Sequence, residues 1–216
     1  MLATFIIELA LAGYTLVRYK STLVRNLAIA LLTFLAIFQL SEYNTCDRFG
    51  LQAAAWSSIG FVAITLLPPL AVHLIQAISK RGHILIHWAA YATAVPWLIF
   101  FVRPETFSGH VCAGNYAIFQ LANNYGGWYF TYYYFWLLFG LGMSFYFAFT
   151  ATKKHLQQAL ILQAVGYLVF LLPTAITNTV RPSTISGLPS IMCGFAIIYA
   201  IILVFGILPL HADKSR

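Results

Sequence analysis

Charge is what this chain has least of. Of its 216 residues only five are acidic and twelve are basic, and charged side chains make up 8% against 61% hydrophobic ones. A soluble domain is nearer a quarter charged and half apolar, so with a mean hydropathy of +0.83 the chain reads as an integral membrane protein. The net charge of +7 is then no nucleic-acid footprint. It is the mark of basic loops on the cytoplasmic side of a bilayer. Cysteine is scarce too: three residues and no CxxC, which excludes a redox or metal-ligand framework built on thiols. No stretch is long and polar enough for a second, soluble domain, so residues 1–216 are expected to form one membrane domain with no attached kinase, cyclase or nuclease. Walker loop, GxSxG, HExxH and dinucleotide fingerprint are all missing, so no reaction class and no cofactor is indicated. The seventh apolar segment holds no lysine, which rules out a retinal Schiff base there. The chain does not open like a cleavable leader. It lacks a basic start, carries Glu8 inside the apolar run, and continues into Arg18 and Lys20 rather than a small-residue cleavage site.

What is present is seven apolar segments, each near the roughly 20 residues that a membrane helix needs. They cover 2–17, 27–43, 52–78, 84–102, 128–151, 159–178 and 188–210, and predict an all-α, seven-helix transmembrane bundle. Basic residues sort the loops. Arg18, Lys20, Arg25, Lys80, Arg81, Lys153, Lys154, Lys214 and Arg216 fall on one side; Arg48, Arg103 and Arg181 fall on the other with Glu42, Asp47 and Glu105. The bias predicts an outside N-terminus and a cytoplasmic C-terminus.

The second segment ends in Gln39-Leu40-Ser41-Glu42-Tyr43-Asn44-Thr45-Cys46. On a helix Gln39, Glu42, Tyr43 and Cys46 share a face, and such a face must look into protein or a wet cavity rather than lipid. Glu8 in the first segment lies about ten residues from Arg18, hence roughly 15 Å from the interface and near the midplane. Thr4, Glu8, Ala12 and Thr15 make an inward stripe. A carboxyl at that depth costs several kcal/mol unless paired or protonated. Either it locks helix packing through hydrogen bonds or it serves a ligand or a proton. Pro68-Pro69 in the third segment remove two backbone donors and predict a kink, with Ser58, Thr65, Pro69 and Gln76 down one side.

Cys46 and Cys112 both fall on the outer side, so a disulfide between them is expected to staple the second helix to the 103–127 loop. Within that loop, residues 114–123 are apolar enough for a short surface helix or a lid. In the fifth segment Tyr129, Tyr133 and Trp136 share a face; they fit an aromatic belt and packing, or a stacking wall for a flat or cationic ligand. In the sixth, Gln163, Tyr167, Phe170, Thr174, Thr177 and Arg181 recur at helical spacing beside Asn178, as interhelical hydrogen-bonding groups or as a cavity wall. Cys193 reads as a small buried residue. His73, His83, His87, His155 and His211 gather at the cytoplasmic side, but no carboxylate or thiol accompanies them, so no metal site is assigned.

The run Gln39-Leu-Ser-Glu-Tyr, followed by Trp56-Ser-Ser-Ile-Gly-Phe and Leu67-Pro-Pro-Leu, resembles the seven-helix sensor region of many bacterial histidine kinases and diguanylate cyclases. The resemblance implies a bacterial inner-membrane ligand-sensing fold, with Glu42 and Pro68-Pro69 at matching positions. With no signalling domain after Leu210, a stand-alone sensor, a partner subunit or a small-molecule carrier is expected. The expected site therefore comprises Glu8, Gln39, Glu42, Tyr129, Tyr133, Trp136, Tyr167, Asn178 and Arg181 around an outward-facing pocket. Its expected partners are membrane lipids, a small-molecule or lipid ligand and a membrane protein partner, with no nucleic acid. A structural subunit of a larger complex and a metal-dependent membrane enzyme using His73, His83 and His87 are the other two readings.

Overall fold

The computed structural model describes residues 1–47, 50–113, 116–122, 125–180 and 187–212. Arg48, Arg181 and the 213–216 tail lie outside them, as do Asn115, Asn123 and Asn124. The helices are α1 (Leu2–Arg18), α2 (Leu23–Asp47), α3 (Ala53–Thr65), α4 (Leu67–Ser79), α5 (Ile84–Phe101), α6 (Gly126–Thr150), α7 (Lys154–Val180), α8 (Leu188–Ile201) and α9 (Leu208–Ala212), with a π-helical stretch, Ile202–Ile207, joining the last two. Among the described residues six helical segments are long and apolar enough to cross a membrane: Leu23–Cys46, Ala53–Ser79, Ile84–Phe101, Gly126–Thr150, Lys154–Val180 and Leu188–His211. The architecture is thus an all-α bundle of membrane type. The 17-residue α1 packs along α2 and touches α8. Its buried residues are Glu8, Leu11, Ala12 and Thr15; of the expected stripe Thr4, Glu8, Ala12 and Thr15, only Thr4 is half-buried rather than buried.

α3 and α4 are one span broken at Leu66. The break follows from Pro68 and Pro69, which have no N–H to give to the carbonyls of Ile64 and Thr65 four residues back. The Thr65 carbonyl is rescued from outside: the Tyr132 hydroxyl donates to it at 3.0 Å. The same device recurs at the other end of the chain. In the π-helical stretch the Leu208 N–H reaches back to the Leu203 carbonyl. The next donor along would be that of Pro209, which has none, so the Val204 carbonyl is left over. The Tyr19 hydroxyl donates to it at 2.8 Å, tying the end of α1 to the last span. In a medium without water a freed carbonyl needs such a partner.

The broken span α3–α4 is the central one, with α2, α5, α6 and α7 packed around it. α5 is peripheral, with Ile84, Leu85, Trp88, Val95 and Ile99 exposed. One tie to α6 is the Trp136 indole N–H, which donates to the Thr93 hydroxyl at 2.9 Å.

Between α5 and α6, where a short surface helix or a lid was expected over 114–123, the described residues form an antiparallel hairpin, β1 (Phe107–Ala113) and β2 (Tyr116–Leu121), with a one-residue bulge at Ser108; Gly114, Asn115 and Asn123 lie outside them. The physical reason is a period of two rather than 3.6. Ala117 and Phe119 are buried while Gln120 is exposed. Phe107 and Phe119 dock on Phe61, with ring centroids 5.2 Å away in each case. Cys46 and Cys112 are disulfide-bonded, as expected, and fasten the hairpin to the end of α2.

Candidate functional site

Five helices leave a cavity of about 40 Å³ where they meet. The first turn beyond the kink, Leu67 and Ala71, forms one wall, as a proline bend that opens the bundle would. Leu31 and Leu35 of α2 form the second. Tyr133 of α6, Tyr167 of α7, and Cys193 and Tyr199 of α8 complete the ring. Among the described residues no charged side chain lines it. A smaller void of about 10 Å³, toward the hairpin, shares Tyr133, Met192 and Cys193 with it.

Two glycines let the tyrosines in. A Cβ at Gly140 would stand 2.6 Å from the Tyr167 hydroxyl, and one at Gly166 would run into the Tyr199 ring. Neither ring could take its place beside a larger residue. The Gln163 amide N–H donates to the Tyr199 hydroxyl at 2.8 Å. The Tyr167 hydroxyl and the Gln163 carbonyl oxygen find no partner among the described residues, although Tyr167 is 2% exposed and Gln163 fully buried.

Glu8 and Glu42 do not line this cavity. Glu8 is 0% exposed and Glu42 1% exposed. The two are near enough to feel each other's charge, and Cys193 is within electrostatic reach of both. Neither Glu8 oxygen has a hydrogen-bond partner among the described residues. Glu42 meets the hairpin: the Ala117 N–H points at its Oε1 from 3.4 Å, and Ser190 donates to the Ala117 carbonyl at 2.7 Å. Thr4 lies 2.6 Å from the Met1 carbonyl and 2.8 Å from Gln39 Oε1. One hydroxyl proton cannot serve both acceptors. If the Met1 carbonyl takes it, the Gln39 amide is turned with its nitrogen toward Thr4, and its oxygen becomes the unpartnered atom.

The expected site residues therefore divide. Tyr133 and Tyr167 line the cavity. Tyr129 is fully buried, but among Phe61, Phe101 and Trp97, with its hydroxyl 3.1 Å from that of Thr65. Trp136 turns to Thr93. Glu8, Gln39 and Glu42 form the separate α1–α2–α8 seam. Asn178 is half-buried, its carbonyl oxygen without a partner among the described residues, and Arg181 lies outside them. Sequence reasoning did not select Tyr199. The signal was there: Met192, Ala196 and Tyr199 recur at helical spacing, and Gly166 is the small residue that accommodates the ring.

At the opposite end His73 and His87 stack face to face, centroids 4.4 Å apart and planes 4° from parallel. His87 Nδ1 lies 2.6 Å from Gln76 Oε1, and Gln76 donates to the His83 carbonyl at 3.1 Å. The lone pair of an imidazole lies in its ring plane, so parallel stacked rings do not aim at a common point between them. Among the described residues no three His, Cys, Asp or Glu side chains form a group that could hold a metal ion.

Compared with known protein families and with curated protein sequences, the chain matches none.

Proposed function

We propose that this is a seven-span protein of a bacterial inner membrane, N-terminus outside, that binds and senses a small neutral lipophilic molecule held inside its bundle. The observation that supports this reading is the cavity walled by Tyr133, Tyr167, Cys193 and Tyr199 where five helices meet. Bundles place ligand sites between facing helices, with apolar walls and a few polar groups. At about 10–15 Å³ per water-sized occupant, the space suits three or four heavy atoms of a ligand, with any longer chain running between helices. The absence of charge on its walls favours a neutral ligand, since a buried cation there would have no counter-charge in contact.

Cys193 supplies the test. It is the free cysteine, and it lies on the cavity wall. The rate at which N-ethylmaleimide modifies it in nanodiscs of synthetic lipid should fall when the neutral-lipid fraction of the native membrane is added. Equal rates with and without that fraction would count against the reading.

A further inference from the structure

We infer that the buried seam between α1 and α2 is a site for one small monovalent cation, a proton or an alkali-metal ion, with Glu8 as its anionic ligand. This site is separate from the cavity, which neither Glu8 nor Glu42 lines.

Glu8 is fully buried, and neither of its carboxyl oxygens has a hydrogen-bond partner among the described residues. Gln39 on α2 is the second group of this kind. It is 2% exposed; one end of its amide lies 2.8 Å from the Thr4 hydroxyl, and the other has no partner among the described residues. The Thr4 contact carries the Gln39 side chain across to α1, where Thr4 and Glu8 stand one turn apart on the same face. With the Thr4 proton given to the Met1 carbonyl at 2.6 Å, the free end of Gln39 is its oxygen. Two helices thus bring an unpartnered carboxyl and an unpartnered amide oxygen to one buried seam, and the charge of Glu42 reaches Glu8 there. Glu42 itself meets a donor, the Ala117 N–H at 3.4 Å. A carboxylate out of water needs a donor, a counter-charge or a proton. Glu8 touches none within the described chain: the Met1 amino group acts on it only from a distance, as does Glu42 from α2, and the neighbouring thiol on α8 is that of Cys193. What balances it is a cation from outside the chain. The cation is small because neither void in the bundle borders Glu8. It is singly charged because no three His, Cys, Asp or Glu side chains gather there, whereas a divalent ion takes six or so oxygen ligands, several of them anionic.

The test is infrared difference spectroscopy on the full chain in nanodiscs of synthetic phosphatidylcholine, because the carbonyl stretch separates a protonated carboxyl from a carboxylate. In one arm choline chloride is exchanged for sodium chloride at constant pH and ionic strength. In the other the pH is raised from acid to alkaline in choline chloride alone. The wild type is expected to convert an acid band to a carboxylate band, and that band should be missing from Glu8→Gln. Conversion by sodium identifies an alkali-metal ion as the occupant; conversion by pH alone identifies a proton. Glu8→Asp keeps the carboxyl one methylene shorter, so it should keep the response with its midpoint displaced severalfold. Responses alike in the wild type and Glu8→Gln, or a midpoint unmoved in Glu8→Asp, overturn the inference. Neither result touches the binding role of the cavity, which is read separately from Cys193.

Discussion

The bond from Tyr132 to the Thr65 carbonyl makes a claim that can be isolated. If that carbonyl needs Tyr132 only because Pro69 cannot donate, restoring the donor should make the hydroxyl redundant. Tyr132→Phe alone forfeits a 3.0 Å hydrogen bond in the buried kink. A hydrogen bond of this kind is worth about 1 kcal/mol net, and a buried carbonyl left unpaired adds about 1–3 kcal/mol. Between membrane helices the measured cost runs lower, averaging about 0.6 and reaching about 1.7 kcal/mol, because the unfolded chain in lipid also finds partners. The expected loss is about 1–1.5 kcal/mol. In a Pro69→Ala background the backbone N–H gained by the substitution can take the Thr65 carbonyl, and the cost of Tyr132→Phe should fall by about 1 kcal/mol. The four proteins are compared by titrating dodecyl sulfate into mixed micelles and following unfolding by tryptophan fluorescence. A coupling smaller than about 0.3 kcal/mol, the scatter expected of independent sites, would refute the assignment.

Gly166→Ala should drive Tyr199 off its seat, break its bond to Gln163 and cost about 1–3 kcal/mol. Gly194→Ala, whose Cβ would meet nothing within 4 Å, should change stability by less than about 0.5 kcal/mol in the same titration. Cys46→Ser should leave the bundle folded but loosen the hairpin, read as faster proteolysis within 107–121. Its cost should stay below the roughly 4 kcal/mol that closing a loop of this length would give a free chain, because spans held in lipid are already constrained. Stability unchanged to within about 0.3 kcal/mol, with unchanged proteolysis, would show that the staple carries nothing. Glu8→Gln should leave protection of Cys193 by the neutral-lipid fraction within about twofold of wild type, since Glu8 does not line the cavity and one hydrogen bond more or less would move it further. Loss of protection would mean that the acidic seam and the cavity are one site.

Much of the fold was legible because its causes are local. Of the stripe Thr4, Glu8, Ala12 and Thr15, all but the half-buried Thr4 are buried, the paired prolines break the span between Ala53 and Ser79, and Cys46 finds Cys112. The hairpin was missed because the alternation that marks it, buried Ala117 and Phe119 against exposed Gln120, is short. The site was legible only in part. Tyr133 and Tyr167 share faces with Tyr129 and Trp136 or with Thr174, and the face alone cannot say which ring meets which neighbour. That depends on where Gly140 and Gly166 bring helices together, a property of pairs of helices that no single helix pattern contains. Two carboxylates in one seam invited a cationic ligand, but the invitation assumed that they faced the same hollow as the tyrosines.

They do not, and the division has a chemical logic. The seam of α1, α2 and α8 holds buried polar groups without partners among the described residues, both oxygens of Glu8 and one end of the Gln39 amide, with the carboxylate of Glu42 under the hairpin. The cavity is walled by the rings of Tyr133, Tyr167 and Tyr199, with no charged side chain among the described residues in its lining. Cys193 stands between the two, on the cavity wall and within electrostatic reach of the acids. Glu8 and Glu42 are absent from the cavity lining, so an occupant of the cavity would meet uncharged walls, while an ion at the seam would meet carboxylates.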